Sequence, residues 1–452
     1  MNSEKRFFIY CGTFLLFTFS IIFTSWATKH SLEGGPRLTV ALSRLFVSLA
    51  NFPSKTKGVL SLISNYYPPD GSPNIYENYR PSNTNANASN DFLLVTLVSS
   101  NGTSEVYLNS VKTKSSMKIF SGDLIHHKEQ YTDELPCSTD FRKNPFSSRS
   151  RIWHSYVSKL GVLTFCLPSN DLISIDLKTG LELWRVKGTF HHSIEPDHLG
   201  NLWVCASITP NCNLANNYRF NHSNNHFENQ ALVQVSSSGR ITKVINVANL
   251  IVNSGLEYLI YGLTNPNSIF DPFHLNQITP VIKDSGNLKR GQLLVSLRNI
   301  STVLLVDPDS GKIVWHKSGP WMNQHCVMVS GESEISVFDN HSFASGNYWL
   351  DPSWQSGIIS CNIEYNNIEV VAFNKNSPWR FKIPIEGRAI PISKKQWLIE
   401  DCLHGTILIF DDQQLLYKWS NLYPNNTVGR TSWCRYMTTD QVPEFLLSKL
   451  FE

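Results

Sequence analysis

One hairpin is written three times in this 452-residue chain. Residues 172–184 read Leu-Ile-Ser-Ile-Asp-Leu-Lys-Thr-Gly-Leu-Glu-Leu-Trp. Residues 304–315 read Leu-Leu-Val-Asp-Pro-Asp-Ser-Gly-Lys-Ile-Val-Trp, and residues 407–419 read Ile-Leu-Ile-Phe-Asp-Asp-Gln-Gln-Leu-Leu-Tyr-Lys-Trp. In each, tryptophan follows aspartate by eight positions: Asp176 and Trp184, Asp307 and Trp315, Asp411 and Trp419. Gly180 and Gly311 provide the tight turn, Leu415 takes that place in the third copy, and residues 232–244 with Gly239 form a weaker fourth. An apolar run, an Asp-led turn and a second apolar run make an antiparallel hairpin. The tryptophan then packs the second strand against its neighbours, and the aspartates are turn residues rather than catalytic acids. Copies tens of residues apart indicate radial repetition: an all-β, six-bladed β-propeller, at roughly 40–50 residues per blade plus insertions. A β-sandwich would explain the strands but not their recurrence.

Composition narrows the setting. With 41% hydrophobic residues the chain can bury a large core, and a net charge of +3 with scattered basic residues argues against nucleic acid as a partner. Residues 7–27 are free of charge and follow Lys5 and Arg6. About 20 apolar residues span a bilayer, and basic flanks stay cytoplasmic, so residues 1–30 read as a transmembrane anchor or a cleaved signal peptide. Either places the body on the exported side, periplasmic or extracellular. Residues 31–90 read as a short amphipathic helix over 37–52, closed by Pro53, followed by a linker rich in Pro, Asn, Ser and Tyr. The propeller then occupies 91–440, and a homodimer is compatible with it. None of the nine cysteines forms a Cys-x-x-Cys pair, so no zinc site is expected. Export permits disulfides, with Cys205–Cys212 the best local pair, although buried thiols are the plainer reading for cysteines in apolar strands.

Chemistry concentrates in histidines that precede strand pairs: His191-His192-Ser193-Ile194, Phe273-His274-Leu275-Asn276 and Asn323-Gln324-His325-Cys326. A lone strand histidine is usually structural. Three in matching frames, with Arg298 between them, converge in a propeller channel and suit transfer of an anionic group. A metal held by His191, His192 and His198 is the competing use, but its spacing matches no standard site.

These motifs resemble the bacterial arylsulfotransferases. The resemblance covers about residues 150–420 and rests on His-His-x-Ile with Gly200-Asn201-Leu202, Asp271-Pro-Phe-His274-Leu-Asn276, Ser296-Leu-Arg298, Gln324-His325, Phe338-Asp339-Asn340 and the tail around Asp411 and Trp419. Ser193 departs from it, standing where an acidic residue often follows the His pair. The resemblance implies a six-bladed propeller that moves a sulfuryl group from an aryl sulfate ester to a phenol, with no nucleotide donor and no cofactor. It implies a sulfated histidine intermediate at His325. His274, Asn276 and Arg298 would bind the sulfuryl group, and His192 or His191 would exchange the proton at the phenolic oxygen. Two other readings of the same fold are a membrane-anchored propeller that binds an anionic ligand or a protein without catalysis, and a quinone-dependent dehydrogenase. The lack of adjacent-cysteine and acidic metal motifs counts against the dehydrogenase.

Overall fold

The computed structural model describes residues 90–122, 131–138, 152–167, 169–209, 228–263, 271–342, 355–372, 381–411, 414–424 and 426–451, with residues 72–73, 76–78 and 81. They form a six-bladed β-propeller of four-stranded antiparallel sheets, one of which gains a short parallel fifth strand, Asp133–Glu134. Blade 1 holds Phe92–Val98, Ser104–Ser110 and Ser116–Ser121, and its innermost strand is Arg435–Met437 from the far end of the chain. Phe92 pairs with Met437 and Leu94 with Arg435, so the ring is closed by backbone hydrogen bonds between its two ends. Closure leaves few open strand edges. The innermost strands of blades 2 to 6 are Trp153–Val157, Phe190–Pro196, Leu275–Pro280, Cys326–Gly331 and Arg388–Pro391.

The repeated hairpin is the outer half of a blade. Leu172–Asp176 pairs with Glu182–Lys187 in blade 2, Thr302–Asp307 with Lys312–Ser318 in blade 4, and Thr406–Asp411 with Gln414–Ser420 in blade 6. The Gly180 and Gly311 N–H groups donate to the Asp176 and Asp307 carbonyls at 2.8 and 3.0 Å, and both glycines have positive φ, 71° and 65°. Trp184 leaves its own blade: its Nε1 donates to Ser237 O at 2.9 Å, and its ring lies where any side chain at Gly239 would have to go. Blade 3 therefore needs a glycine at that turn. His316, beside Trp315, is half-buried and bonded to the Tyr258 hydroxyl at 2.8 Å.

Each of the six gaps between blades holds one apolar cluster. Phe120, Phe165 and Ile173 fill the gap between blades 1 and 2. Phe190 and Val204 with Trp184 fill the next, and Cys205, Phe273, Leu293 and Val295 the third. Fully burying one large apolar side chain contributes about 1.5–3 kcal/mol. The C-terminal helix Glu444–Phe451 adds Leu446 to the first gap. A helix absent from the sequence reading, Val247–Asn253, covers the third, its N-terminus capped by the Asn246 side chain. Ser72–Pro73 pairs with Thr427–Val428, and Tyr76 is buried against Phe381 and Phe410, its hydroxyl donating to Asp401 at 2.7 Å.

Among the described residues no helix is long and apolar enough to cross a membrane. Residues 7–27 and the helix expected over 37–52 lie outside them. The Cys205–Cys212 pairing is overturned. Cys205 is an unbridged, fully buried thiol in the middle of Leu202–Ile208, facing Ser193 Oγ at 3.5 Å, and burial pushes it up to about 12. A central-strand side chain points into the gap between blades, not toward the following loop. Cys166, Cys326, Cys361 and Cys434 are likewise buried and unbridged, whereas Cys137 is disulfide-bonded.

Half-way along the channel, charged side chains tie the blades together. Glu195 of blade 3 accepts from Arg435 Nη1 of blade 1 at 2.7 Å and faces Arg388 Nη2 of blade 6, on the opposite side of the ring, at 3.8 Å. Arg435 Nε donates to Ser155 O of blade 2 at 2.7 Å, and Arg388 Nη1 to Cys434 O at 2.9 Å. Removing one partner of a buried ion pair leaves its cation uncompensated. Glu195→Ala is expected to lower stability by about 3–5 kcal/mol in denaturant titrations. A loss below about 1 kcal/mol would mean that this crossing does not hold the ring.

Candidate active site

Each innermost strand is entered through a residue with left-handed backbone: Trp433, His154, His192, His274, Asn323 and Glu386 in blades 1 to 6, all with φ between 49° and 61°. Such non-glycine residues cost about 1–3 kcal/mol each. Because all six blades repeat the conformation, it belongs to the way the strand turns into the channel. What differs is the side chain each blade delivers. Three blades deliver imidazoles, and these meet. The His192 ring lies edge-on to His274 at 5.1 Å, to His154 at 5.7 Å and to His191 at 4.9 Å between centroids. His154 stacks on Trp433 at 4.6 Å. The sequence placed His192, His274 and His325 at equivalent positions. The structure corrects this: Asn323 holds the equivalent place in blade 5, and His325 follows two residues later, still close enough to His192 and His274 to be electrostatically linked to both.

His325 is 2% exposed and held in one tautomer. Asn340 Nδ2 donates to the Ile383 and Glu386 carbonyls at 2.8 and 2.9 Å, which fixes its Oδ1 as an acceptor for His325 Nδ1–H at 2.8 Å. The lone pair therefore resides on His325 Nε2, where it receives a long 3.2 Å contact from the Glu386 N–H. Burial first, and then the Arg298 charge, hold this imidazole well below its ordinary value. It is neutral at neutral pH, as a nucleophile must be.

Arg298 begins a short 3-10 turn, Arg298–Ile300, at the end of Leu293–Leu297. Its backbone N–H donates to the His274 carbonyl at 3.1 Å and its Nη1 to Asn299 Oδ1 at 2.9 Å. Its Nε and Nη2 are buried with no hydrogen-bond partner among the described residues. An unsatisfied buried guanidinium is costly, and two spare donors on one face of a planar fork match two oxygens of an anion. His274 is oriented by Asp271, which accepts its Nδ1–H at 2.5 Å and its backbone N–H at 2.9 Å. Burial raises the Asp271 carboxyl, but the His274 charge and these bonds outweigh it and hold it below its ordinary value.

His191 and His192 share a 2.8 Å contact between their Nδ1 atoms, so one donates and the other accepts. Burial, followed by the His274 charge, lowers His191 to about 4, and burial with the neighbouring imidazoles lowers His192 well below 6.5. Asn276 stands differently from the other expected residues. It is fully buried and donates Nδ2 to the Gln324 carbonyl at 2.7 Å, fastening the peptide that carries His325. Ser193 Oγ accepts the Ile278 N–H at 2.9 Å, a clamp between blades 3 and 4 that an acidic side chain would replace with a buried charge. His198 is exposed in the turn beyond the far end of Phe190–Pro196, whereas His192 lies near its start, which separates His198 from the imidazole cluster. Sequence reasoning missed His154, Trp433 and Glu228. The Glu228 carboxyl accepts from Gln230 Nε2 at 2.9 Å and is raised by burial and by the Asp271 charge.

Residues 173–417 match the arylsulfotransferase (ASST) family. The chain belongs to that family. No curated protein matches it. Among solved structures, this arylsulfotransferase-family chain is similar to Kuenenia stuttgartiensis hydrazine synthase at 11% identity and TM-score 0.41, over 75% of this chain and 80% of that one. It is similar to a nidogen/laminin complex at 11% identity and TM-score 0.43, over 77% and 99%. It is also similar to Saccharomyces cerevisiae Sqt1 at 10% and 0.38, over 73% and 69%. These likenesses are too distant to carry an argument. Membership supports an aryl sulfotransferase, with an aryl sulfate as donor and a phenol as acceptor.

The lowered imidazoles give a pH test. A histidine depressed in the folded state stays neutral as the pH falls through 6.5, its ordinary value, and its stabilising contribution, full above 6.5, is lost as the pH falls toward about 4 for His191. Melting temperature should therefore decline progressively below pH 6.5. The acid limb of kcat/KM should lie below 6.5, because His325 and His192 remain neutral there. Half-loss of kcat/KM at pH 6.5 would contradict the buried-imidazole description.

Proposed function

We propose that the imidazole cluster transfers sulfuryl groups by a two-step path through sulfated His325. The observation that carries this reading is the pairing of a neutral, tautomer-locked His325 with a guanidinium, Arg298, that has two unspent buried donors. In the first step His325 Nε2 attacks the ester sulfur. The N–S bond forms, the S–O(aryl) bond breaks, and its electron pair leaves on the phenolate oxygen. Arg298 gives its free donors to the sulfuryl oxygens, where charge develops. His274 presents Nε2 on the same side, since Asp271 occupies its Nδ1.

His192 faces the bridging oxygen from blade 3. At rest it is neutral, so it enters the cycle as a hydrogen-bond partner or base rather than as a standing acid. The bound sulfate's negative charge opposes the repulsion among the imidazoles and raises their affinity for a proton, which the departing phenolate then collects. In the second step the acceptor phenol yields its proton to the same imidazole. Its oxygen attacks sulfur, the N–S bond breaks, and His325 returns to the neutral form.

Residues 7–27 would anchor the enzyme with the propeller on the exported side, and a reporter fused after residue 150 that works only in the cytoplasm would refute that placement. The activity itself is tested with a chromogenic aryl sulfate and a second phenol. Phenol release that depends on the acceptor, with parallel lines in double-reciprocal plots, is the expected result. Retained ligand binding without phenol release from any donor would favour a noncatalytic anion-binding propeller.

A further inference from the structure

The channel has a second chamber that sulfuryl transfer does not use. The imidazoles sit where the innermost strands begin. Where those strands end, Pro196, Pro280, Val329, Ile390 and Met437 line a separate cavity of about 570 Å³. Between the two lies the charged crossing of Glu195, Arg388 and Arg435 described above. Trp433 caps it on the imidazole side: the Arg388 guanidinium lies 4.5 Å over the Trp433 ring, and that ring stacks on His154. On the other flank Gln277 Nε2 reaches the Met328 sulfur at 3.6 Å. Side chains of blades 1, 3, 4, 5 and 6, with the Ser155 carbonyl of blade 2, thus meet between the imidazoles and the cavity, and Glu195, Arg388 and Arg435 form the floor of the second chamber.

We propose that this chamber binds a small amphipathic organic anion, with an apolar body and one anionic head group. Its volume falls in the range of about 300–1,000 Å³ typical of small-molecule sites. Its walls are mostly apolar, and Ile282 at the rim stays 59% exposed. Its charge is unbalanced. Four cations, Lys159, Lys283, Arg388 and Arg435, line it against two carboxylates, Glu195 and Asp440, an excess of 4 − 2 = 2 positive charges. At the floor two guanidiniums share one lining carboxylate. Glu195 serves two guanidiniums and sits close to only one, at 2.7 Å from Arg435 against 3.8 Å from Arg388. Arg388 is 2% exposed, and its Nε has no hydrogen-bond partner among the described residues. Glu400, the cross-strand neighbour of Arg388, accepts the Cys434 N–H at 2.7 Å through Oε2; burial raises its carboxyl, and the Arg388 charge pulls it part of the way back down. An anionic head resting on Arg388 would give its Nε an acceptor and offset the excess of cations in the lining, while the apolar body covers Ile390, Met437 and Ile282.

The test uses 8-anilino-1-naphthalenesulfonate, whose sulfonate is bound to carbon and is no sulfuryl donor, so the outcome is independent of the transferase reading. Titrating the full chain should give saturable one-to-one binding by fluorescence and calorimetry. Ile390→Trp, which fills the chamber, should weaken it at least tenfold. So should the surface pair Lys159→Glu with Lys283→Glu, which does not disturb packing if the buried variant fails to fold. His325→Asn should leave binding unchanged. Non-saturable binding, or affinity untouched by the lysine reversals, would overturn the proposal. Loss of binding in His325→Asn would do so too, because it would place the probe among the imidazoles.

Discussion

His325→Asn is expected to reduce sulfuryl transfer to the uncatalysed level while the propeller stays folded. The side chain is buried, but asparagine is smaller and polar, and its amide can keep a hydrogen bond to Asn340 Oδ1 in place of the imidazole Nδ1–H. What it cannot supply is the Nε2 lone pair. His274 also keeps an Nε2 position open, with Asp271 on its Nδ1, so loss of all transfer in His325→Asn would tell the two imidazoles apart. Circular dichroism and melting should stay near those of the parent, and phenol release from an aryl sulfate should vanish. Full activity in this variant would remove the covalent path.

Arg298→Ala is expected to lower kcat by ~10²–10³-fold, the usual consequence of losing one fixed donor to developing charge. Arg298→Lys should recover little of it, because a lysine offers a point charge where a planar fork is needed. The same substitution carries a second signature. The Arg298 charge is, after burial, the largest influence lowering His325, so its removal should let His325 take up a proton at higher pH. The acid limb of kcat/KM should then move upward in Arg298→Ala. A purely structural role for Arg298 would lower activity without moving that limb.

The fold was legible because its outer hairpins repeat. Asp176, Asp307 and Asp411, each with a tryptophan eight residues on, mark the solvent-side half of blades 2, 4 and 6, where turn chemistry leaves a local signature. The inner half leaves none. Its entry conformation is left-handed in every blade, yet it is occupied by Trp, His, Asn and Glu rather than glycine, so nothing local announces it. His154 was missed for that reason: Ile152-Trp-His154-Ser-Tyr-Val reads as an ordinary strand, and only the ring geometry brings it to His192 and Trp433. His325 was found through its motif, although its position is two residues from the one it was assigned by analogy. Asn340 and Asp271 lay within quoted motifs, but their roles depend on hydrogen bonds across 15 and 3 residues that spacing does not reveal. Cys205 was paired by proximity in sequence, a guide that fails when a strand turns the side chain into the gap between blades.

The central claim is a sulfuryl group on His325. Its most direct measurement is the intact mass of the protein after brief incubation with an aryl sulfate, followed by peptide mapping. The account predicts one sulfuryl adduct on the peptide carrying His325, discharged by added phenol and absent from His325→Asn. Turnover without any adduct, or an adduct that maps to another residue, would contradict it.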